Sequence, residues 1–228
     1  NRLAVAIVEE AVELREAGID GDILILGGIW PDQSELIFQH NLIPAIFSIE
    51  SATALDSLYA SKGKSAKIHV KIDTGMGRVG VPFADAGQFA DALARLANIE
   101  VEALMTHFAS ADDLTQSDYT NYQMDRFGAV VEVFANAGIR PPILDLANSP
   151  ASVAFPRSRS GLVRPAGCTA SRFEARNVAD IRGRISKACV RRRFSRIWPH
   201  VHRQTRLPDR DRSHRVCRRL SEDIVEQR

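Results

Sequence analysis

The sequence has no run of eighteen apolar residues, which excludes a membrane-spanning helix of ordinary length. Cysteine is scarce: Cys168, Cys189 and Cys217 all lie late and show no metal-ligand spacing. A reducing, cytoplasmic setting is the simplest one for such a chain. The opening residues, NRLAVAIVEEAVELREAG, place acids at helical spacing and give no secretory leader. No initiator methionine opens the chain, which points to a fragment. Tyrosine is absent after Tyr122.

What is present is enough for a folded body. A chain of 228 residues with 45% hydrophobic residues can bury a sizeable core and form one large α/β domain. The overall charge of +2 hides an asymmetry. From Arg182 to Arg228, fourteen arginines and one lysine face five acids, a net of +10 that leaves the first 181 residues at −8. Such a tail ordinarily suggests nucleic acid or a membrane as partner. Neither is expected here, for reasons that come from the tail itself.

Along the chain, apolar patterns alternate between strand-like and helix-like. A helix is expected over Ala4 to Ala17, ending at Gly18, and others over Asp32 to Asn41, Ser51 to Ser61, Pro82 to Ala97 and Tyr119 to Ala137. Strands are expected over Asp22 to Gly28, Ile43 to Ser48, Ala66 to Ile72, Val101 to Phe108 and Ile143 to Ala147, with one more starting at Gly161 to Arg164. Strand–helix alternation with short loops means parallel βαβ units, in an open doubly wound sheet or a closed barrel. Polar residues follow the strands at their carboxyl ends, where barrel active sites are built. The expectation is therefore an α/β, parallel (β/α)8 TIM-type barrel with six strands visible after an initial helix. One strand is expected to be missing before Asn1.

The segment Lys71 to Val81, KIDTGMGRVGV, follows a strand and holds three glycines, two cations and one acid. Backbone N–H groups and the side chains of Lys71 and Arg78 can converge there on an anion, although an ordinary strand-to-helix loop has the same look. His107 lies in THFAS, with Asp112 and Asp113 beyond it; a lone histidine there is more often structural than catalytic. Asn148 and Ser149 precede a short segment; if that segment is helical they either cap it or, with its free N–H groups, bind phosphate. Arg164 in GLVRP is a single cation with no partner visible in sequence.

Together, KIDTGMGR, THFA, ANS and VRP resemble the pattern of bacterial alanine racemases, which are pyridoxal-phosphate (PLP) enzymes. The resemblance covers about residues 4 to 165. It implies PLP as cofactor, alanine as the small-molecule substrate, a homodimer, and a role in D-alanine supply for the cell wall. It also implies roles by residue. Lys71 resembles a lysine that is often carbamylated and braces the neighbouring arginine. Arg78 resembles that arginine, which orients substrate carboxylate and catalytic tyrosine. His107 resembles the histidine beside the cofactor ring. Asn148 and Ser149 resemble a cofactor-site pair with Ser149 on the phosphate, and Arg164 resembles the arginine on the pyridine nitrogen.

The chain departs from that pattern in three places. The family's Schiff-base lysine lies in a segment before the helix expected from Ala4, and its second base is a tyrosine from a C-terminal β domain. After VRP, Ala166 intervenes before Gly167. The expected division is a barrel over residues 1–170 and a basic, disordered tail over 171–228 in which the β domain is not formed. Dropping one nucleotide from an allowed codon choice for Ile197 to Arg228 gives a stretch that resembles the family's tyrosine-bearing region, so a frameshift accounts for the arginines. The leading expectation is a partial alanine racemase, inactive as written. The alternatives are a non-catalytic PLP-binding barrel, or another amino-acid racemase or decarboxylase of the same fold.

Overall fold

The computed structural model describes residues 2–164. In chain order the strands are β1 (Arg2–Val5), β2 (Asp22–Ile25), β3 (Ile43–Ile46), β4 (Ala66–Asp73), the two-residue β5 (Val81–Pro82), β6 (Ile99–Met105), β7 (Ile143–Asn148) and β8 (Leu162–Arg164). Between them run α1 (Val8–Glu16), α2 (Ser34–Gln39), α3 (Ile49–Ser61), α4 (Ala86–Leu93), α5 (Ser117–Asn136) and α6 (Ser149–Ala154). Seven strands form one parallel sheet in sequence order, β1-β2-β3-β4-β6-β7-β8, while β5 pairs only with β4. Parallel pairing in unbroken order, with a helix after most strands, is barrel topology and rules out the strand-order reversal of a doubly wound sheet.

The sheet curls. Three strands separate Arg2 on β1 from β6, yet the Arg2 guanidinium reaches the Glu102 carboxylate at 2.9 Å and the His69 ring at 3.1 Å. Only a concave inner face lets those side chains meet. Strand β4 shows the two faces by its period of two. Ile68, Val70 and Ile72 join the main apolar core, whereas the alternate residues His69 and Lys71 are polar and nearly as buried. Phe89 of α4 and Phe127 and Phe134 of α5 belong to that same main core. A separate small cluster of Ala103, Ile143 and Leu162 joins β6, β7 and β8.

One expectation is corrected. The first element is not a helix from Ala4 but the strand β1, followed by a shorter helix from Val8. Val5 fits a helical spacing with Val8 and Val12, but its backbone is used in parallel pairing, with Val5 opposite Ile25. The helix starts only where the Glu10 carboxylate accepts the N–H groups of Ala6 (2.7 Å) and Ile7 (3.4 Å). Among the described residues the sheet therefore has seven strands in sequence order, the two-residue β5 aside, where six were expected. Elsewhere the differences are at element ends. The expected helices at Asp32 and Pro82 begin as 3₁₀ turns before α2 and α4. Helix α3 starts at Ile49, with the Ser48 hydroxyl accepting from Ser51 N. The division at residue 170, the frameshifted tail and the C-terminal β domain lie outside the described residues.

Candidate functional site

The loop after β4 is wound around one carboxylate. Asp73 accepts the backbone N–H groups of Gly75 (2.9 Å), Gly77 (3.1 Å) and Arg78 (3.1 Å). Burial opposes the Asp73 charge, but these N–H groups outweigh it and hold its pKa below the ordinary value. Two glycines are required by contact as well as by angle. At Gly75, φ is 142° and a Cβ would lie 2.7 Å from the Tyr119 hydroxyl; at Gly80, φ is 141° and a Cβ would lie 2.6 Å from Asp73 N. The loop thus turns back on its own strand and presents Arg78 at the surface.

Lys71 sits two residues before Asp73, buried, with its Nζ donating to the Leu26 carbonyl at 3.0 Å. Burial and the like charges of Arg164 and Arg78 lower its pKa to about 8. His107 follows β6. Burial, then Arg164, Arg78 and Lys71, lower its pKa to about 4, so the ring is neutral at physiological pH. Arg164, at the end of β8, forms a buried ion pair with Asp145 of β7. It also donates to the Thr106 carbonyl at 2.7 Å and lies 3.4 Å from His107 Nδ1. In register, Arg164 stands opposite Asn148.

Lys71, His107 and Arg164 therefore converge at the carboxyl ends of β4, β6 and β8, and Arg78 stands on the rim within electrostatic reach of Lys71 and His107. Asn148 is the N-cap of α6: its Oδ1 accepts from Ala151 N at 3.0 Å. Ser149 is the first residue of that helix. Asp112 is exposed, and Asp113 is occupied in capping the next turn through Thr115 N at 3.0 Å. Among the described residues no group of acids, histidines and cysteines could hold a metal ion. No described helix is long and apolar enough to cross a membrane.

Two contributors were not visible as such in sequence. Asp145 is the buried counter-ion of Arg164. The signal for it was available: an acid inside an apolar strand, ILDLAN, cannot be buried without a cation. Gln123, fully buried on α5, joins the loops after β4 and β6. Nothing in its local sequence announces that.

Chemically, the arrangement gathers three basic side chains and a neutral imidazole at the carboxyl ends of the strands, with one buried acid, Asp145, paired to Arg164. Such a donor set suits an anionic ligand.

The chain matches the model of the alanine racemase N-terminal domain over residues 1–167. It is 45% identical over 164 residues to an alanine racemase of Halothermothrix orenii, covering 72% of this chain and 43% of that protein. To an alanine racemase of Geobacter sulfurreducens it is 40% identical over 163 residues, covering 71% and 43%. A solved alanine racemase of Clostridium difficile, in complex with cycloserine, superposes with a TM-score of 0.68 at 33% identity, covering 72% of this chain and 45% of that one. The chain thus spans less than half the length of the curated relatives it matches.

Proposed function

The chain belongs to the alanine racemase family, and from that premise we propose that its strand ends form part of a PLP site for the interconversion of L- and D-alanine. The observation that carries this reading is the pair of Arg78 and Arg164 around a neutral His107, with the buried Lys71 amine beside them. A phosphorylated pyridoxal and an amino-acid carboxylate are both anions, and the donor set fits them. When bound, PLP supplies an electron-withdrawing ring that eases removal of a proton from the amino acid's α carbon.

The chain's own residues then have distinct tasks. Arg164 would hold the pyridine nitrogen of a bound PLP; an arginine, with a pKa above about 12, would offer a hydrogen bond there without handing over the proton. Its pairing with Asp145 fixes the guanidinium's direction. His107, as a neutral imidazole, would stand beside the cofactor ring. Asn148 and Ser149 would form a cofactor-site pair, with Ser149 on the phosphate. Arg78 would orient the substrate carboxylate. Lys71, with its amine near pKa 8, is partly unprotonated at neutral pH and so able to take up CO2 as a carbamate that braces Arg78. Racemisation also needs a lysine amine and a tyrosine hydroxyl to move the proton on opposite faces, and no residue of the matched motifs supplies either. The chain by itself is therefore proposed to bind PLP but not to turn over alanine, and the complete enzyme to be a cytoplasmic homodimer.

The test is equilibrium dialysis of the full chain against PLP, with D-alanine formation from L-alanine measured in parallel. Reversible binding weakened by Arg164→Ala and Ser149→Ala, without turnover, is the expected result. Equal binding by wild type and both variants would remove the site assignment, and turnover would show that the two proton-transfer groups lie elsewhere in the chain.

A further inference from the structure

Helix α5 grips both loops that carry the site. Tyr119, Gln123 and Arg126 share one face of it, at spacings of four and three residues. The Tyr119 hydroxyl donates to the Gly75 carbonyl at 2.6 Å, and Arg126 donates to the Thr74 carbonyl at 3.3 Å. Gln123 lies between them and uses its whole amide. Its Oε1 accepts from Ala109 N at 3.0 Å, while its Nε2 donates to the His107 carbonyl at 3.1 Å and to Thr74 Oγ1 at 3.2 Å.

The direction of every proton in this group follows by elimination. Thr106 Oγ1 donates to the Ile72 carbonyl at 2.9 Å, so in its 2.9 Å contact with Thr74 Oγ1 it can only accept. Thr74 therefore spends its own proton on Thr106 and must accept from Gln123. The glutamine amide can then have only one orientation, with its nitrogen toward Thr74 and its oxygen toward Ala109 N. Thr74, Thr106 and Gln123 are all fully buried, so none of these bonds can be exchanged for water without opening the packing.

We propose that Gln123 is a positioning residue that, together with Tyr119, fixes the Arg78 loop relative to His107. It touches neither substrate nor cofactor and acts through the Thr74 hydroxyl on one side and the His107 and Ala109 backbone on the other. The proposal deepens the PLP-site reading and rests on it for the meaning of the two loops, but its test uses no cofactor.

The full chain is compared as wild type, Gln123→Met, Tyr119→Phe and Met124→Ala. The last is a buried neighbour on α5 outside this group of bonds. Two quantities are read by NMR: hydrogen exchange of the Gly75, Gly77 and Arg78 amides, and the titration of the His107 ring, which Lys71, Arg78 and Arg164 face. Gln123→Met and Tyr119→Phe are expected to speed exchange of the loop amides about tenfold while β4 amides such as Val70 stay unchanged. They should also raise the His107 pKa from its value of about 4, since Arg78 is no longer held near it. Met124→Ala should do neither. In an Arg78→Ala background, Gln123→Met should no longer move His107. If Gln123→Met unfolds the chain, Tyr119→Phe decides, because Tyr119 is 38% exposed and its ring is kept. Loop amides and a His107 titration no different from those of Met124→Ala would overturn the proposal. A chain that binds no PLP yet shows these shifts keeps the positioning role and loses the cofactor reading; the reverse pattern loses the positioning role alone.

Discussion

At the amino-terminal side of the sheet interior, charges cancel; at the carboxyl ends, cations outnumber the one buried acid, Asp145. Arg2 pairs with Asp22 at 2.8 Å and with Glu102 at 2.9 Å, and His69 bonds Glu102 at 2.9 Å. The His69 bond, then Arg2, outweigh burial and hold the Glu102 pKa down to about 2. At the other end, burial and neighbouring cations push charge off Lys71 and His107. The two ends share the same backbone architecture and differ in how completely their side-chain charges are paired. Charge that cancels holds strands together. Charge of one sign, kept close by packing that would be more stable without it, marks a place built to receive the other sign.

The contrast can be broken most severely at the cancelled end. Glu102→Ala leaves Arg2 and His69 without their shared buried acid, and a loss of about 3–5 kcal/mol is expected in urea unfolding. A gentler version uses acid. Glu102 has a folded pKa below its unfolded value of about 4.3, so its stabilisation is present above that value and fades as pH falls towards 2. Wild type should lose roughly 2–3 kcal/mol across that window, and Glu102→Gln should show a flatter profile.

At the cation-rich end the sign reverses. Lys71 is lowered on folding, so the unfolded chain binds more protons between about pH 8 and its ordinary value near 10.4, and stability rises with pH across that window. Lys71→Met should therefore stabilise the chain at pH 7 by about 1–2 kcal/mol while removing the rise above pH 8. A destabilised Lys71→Met would show that the amine's bond to Leu26 outweighs its desolvation. The smallest expected effect belongs to Arg78, which is exposed and screened. Arg78→Ala should raise the His107 pKa slightly, read by NMR, and added salt should shrink the difference.

Much of this organisation was legible in the sequence, and the reason differs by element. Strand β3 is buried along its whole length, so Ile43 to Ile46 reads as a continuous apolar run, whereas β4, AKIHVKID, reads by its period of two. Strand β1 was not legible, because its four residues merge into the helical spacing of α1. The strand-end residues Lys71, His107 and Arg164 were singled out by the family resemblance of KIDTGMGR, THFA and VRP, and barrel topology accounts for their meeting. Their partners were not legible. Asp145 is nineteen residues from Arg164, and Gln123 is forty-nine from Thr74, and such pairings depend on curl and register that no local pattern encodes.

The one-way order of the protons from Gln123 through Thr74 and Thr106 to the Ile72 carbonyl has a consequence for how such sequences can diverge. Each member is donor to one neighbour and acceptor from the other, so no single replacement that removes one of these hydrogen-bonding groups is neutral. Thr106→Val strands the Thr74 proton, and Gln123→Glu sets a carboxylate against the His107 carbonyl. Viable change must come in matched pairs, and positions 74, 106 and 123 should therefore drift together among descendants of this chain. An alignment in which they vary independently would show that the order of protons is not inherited.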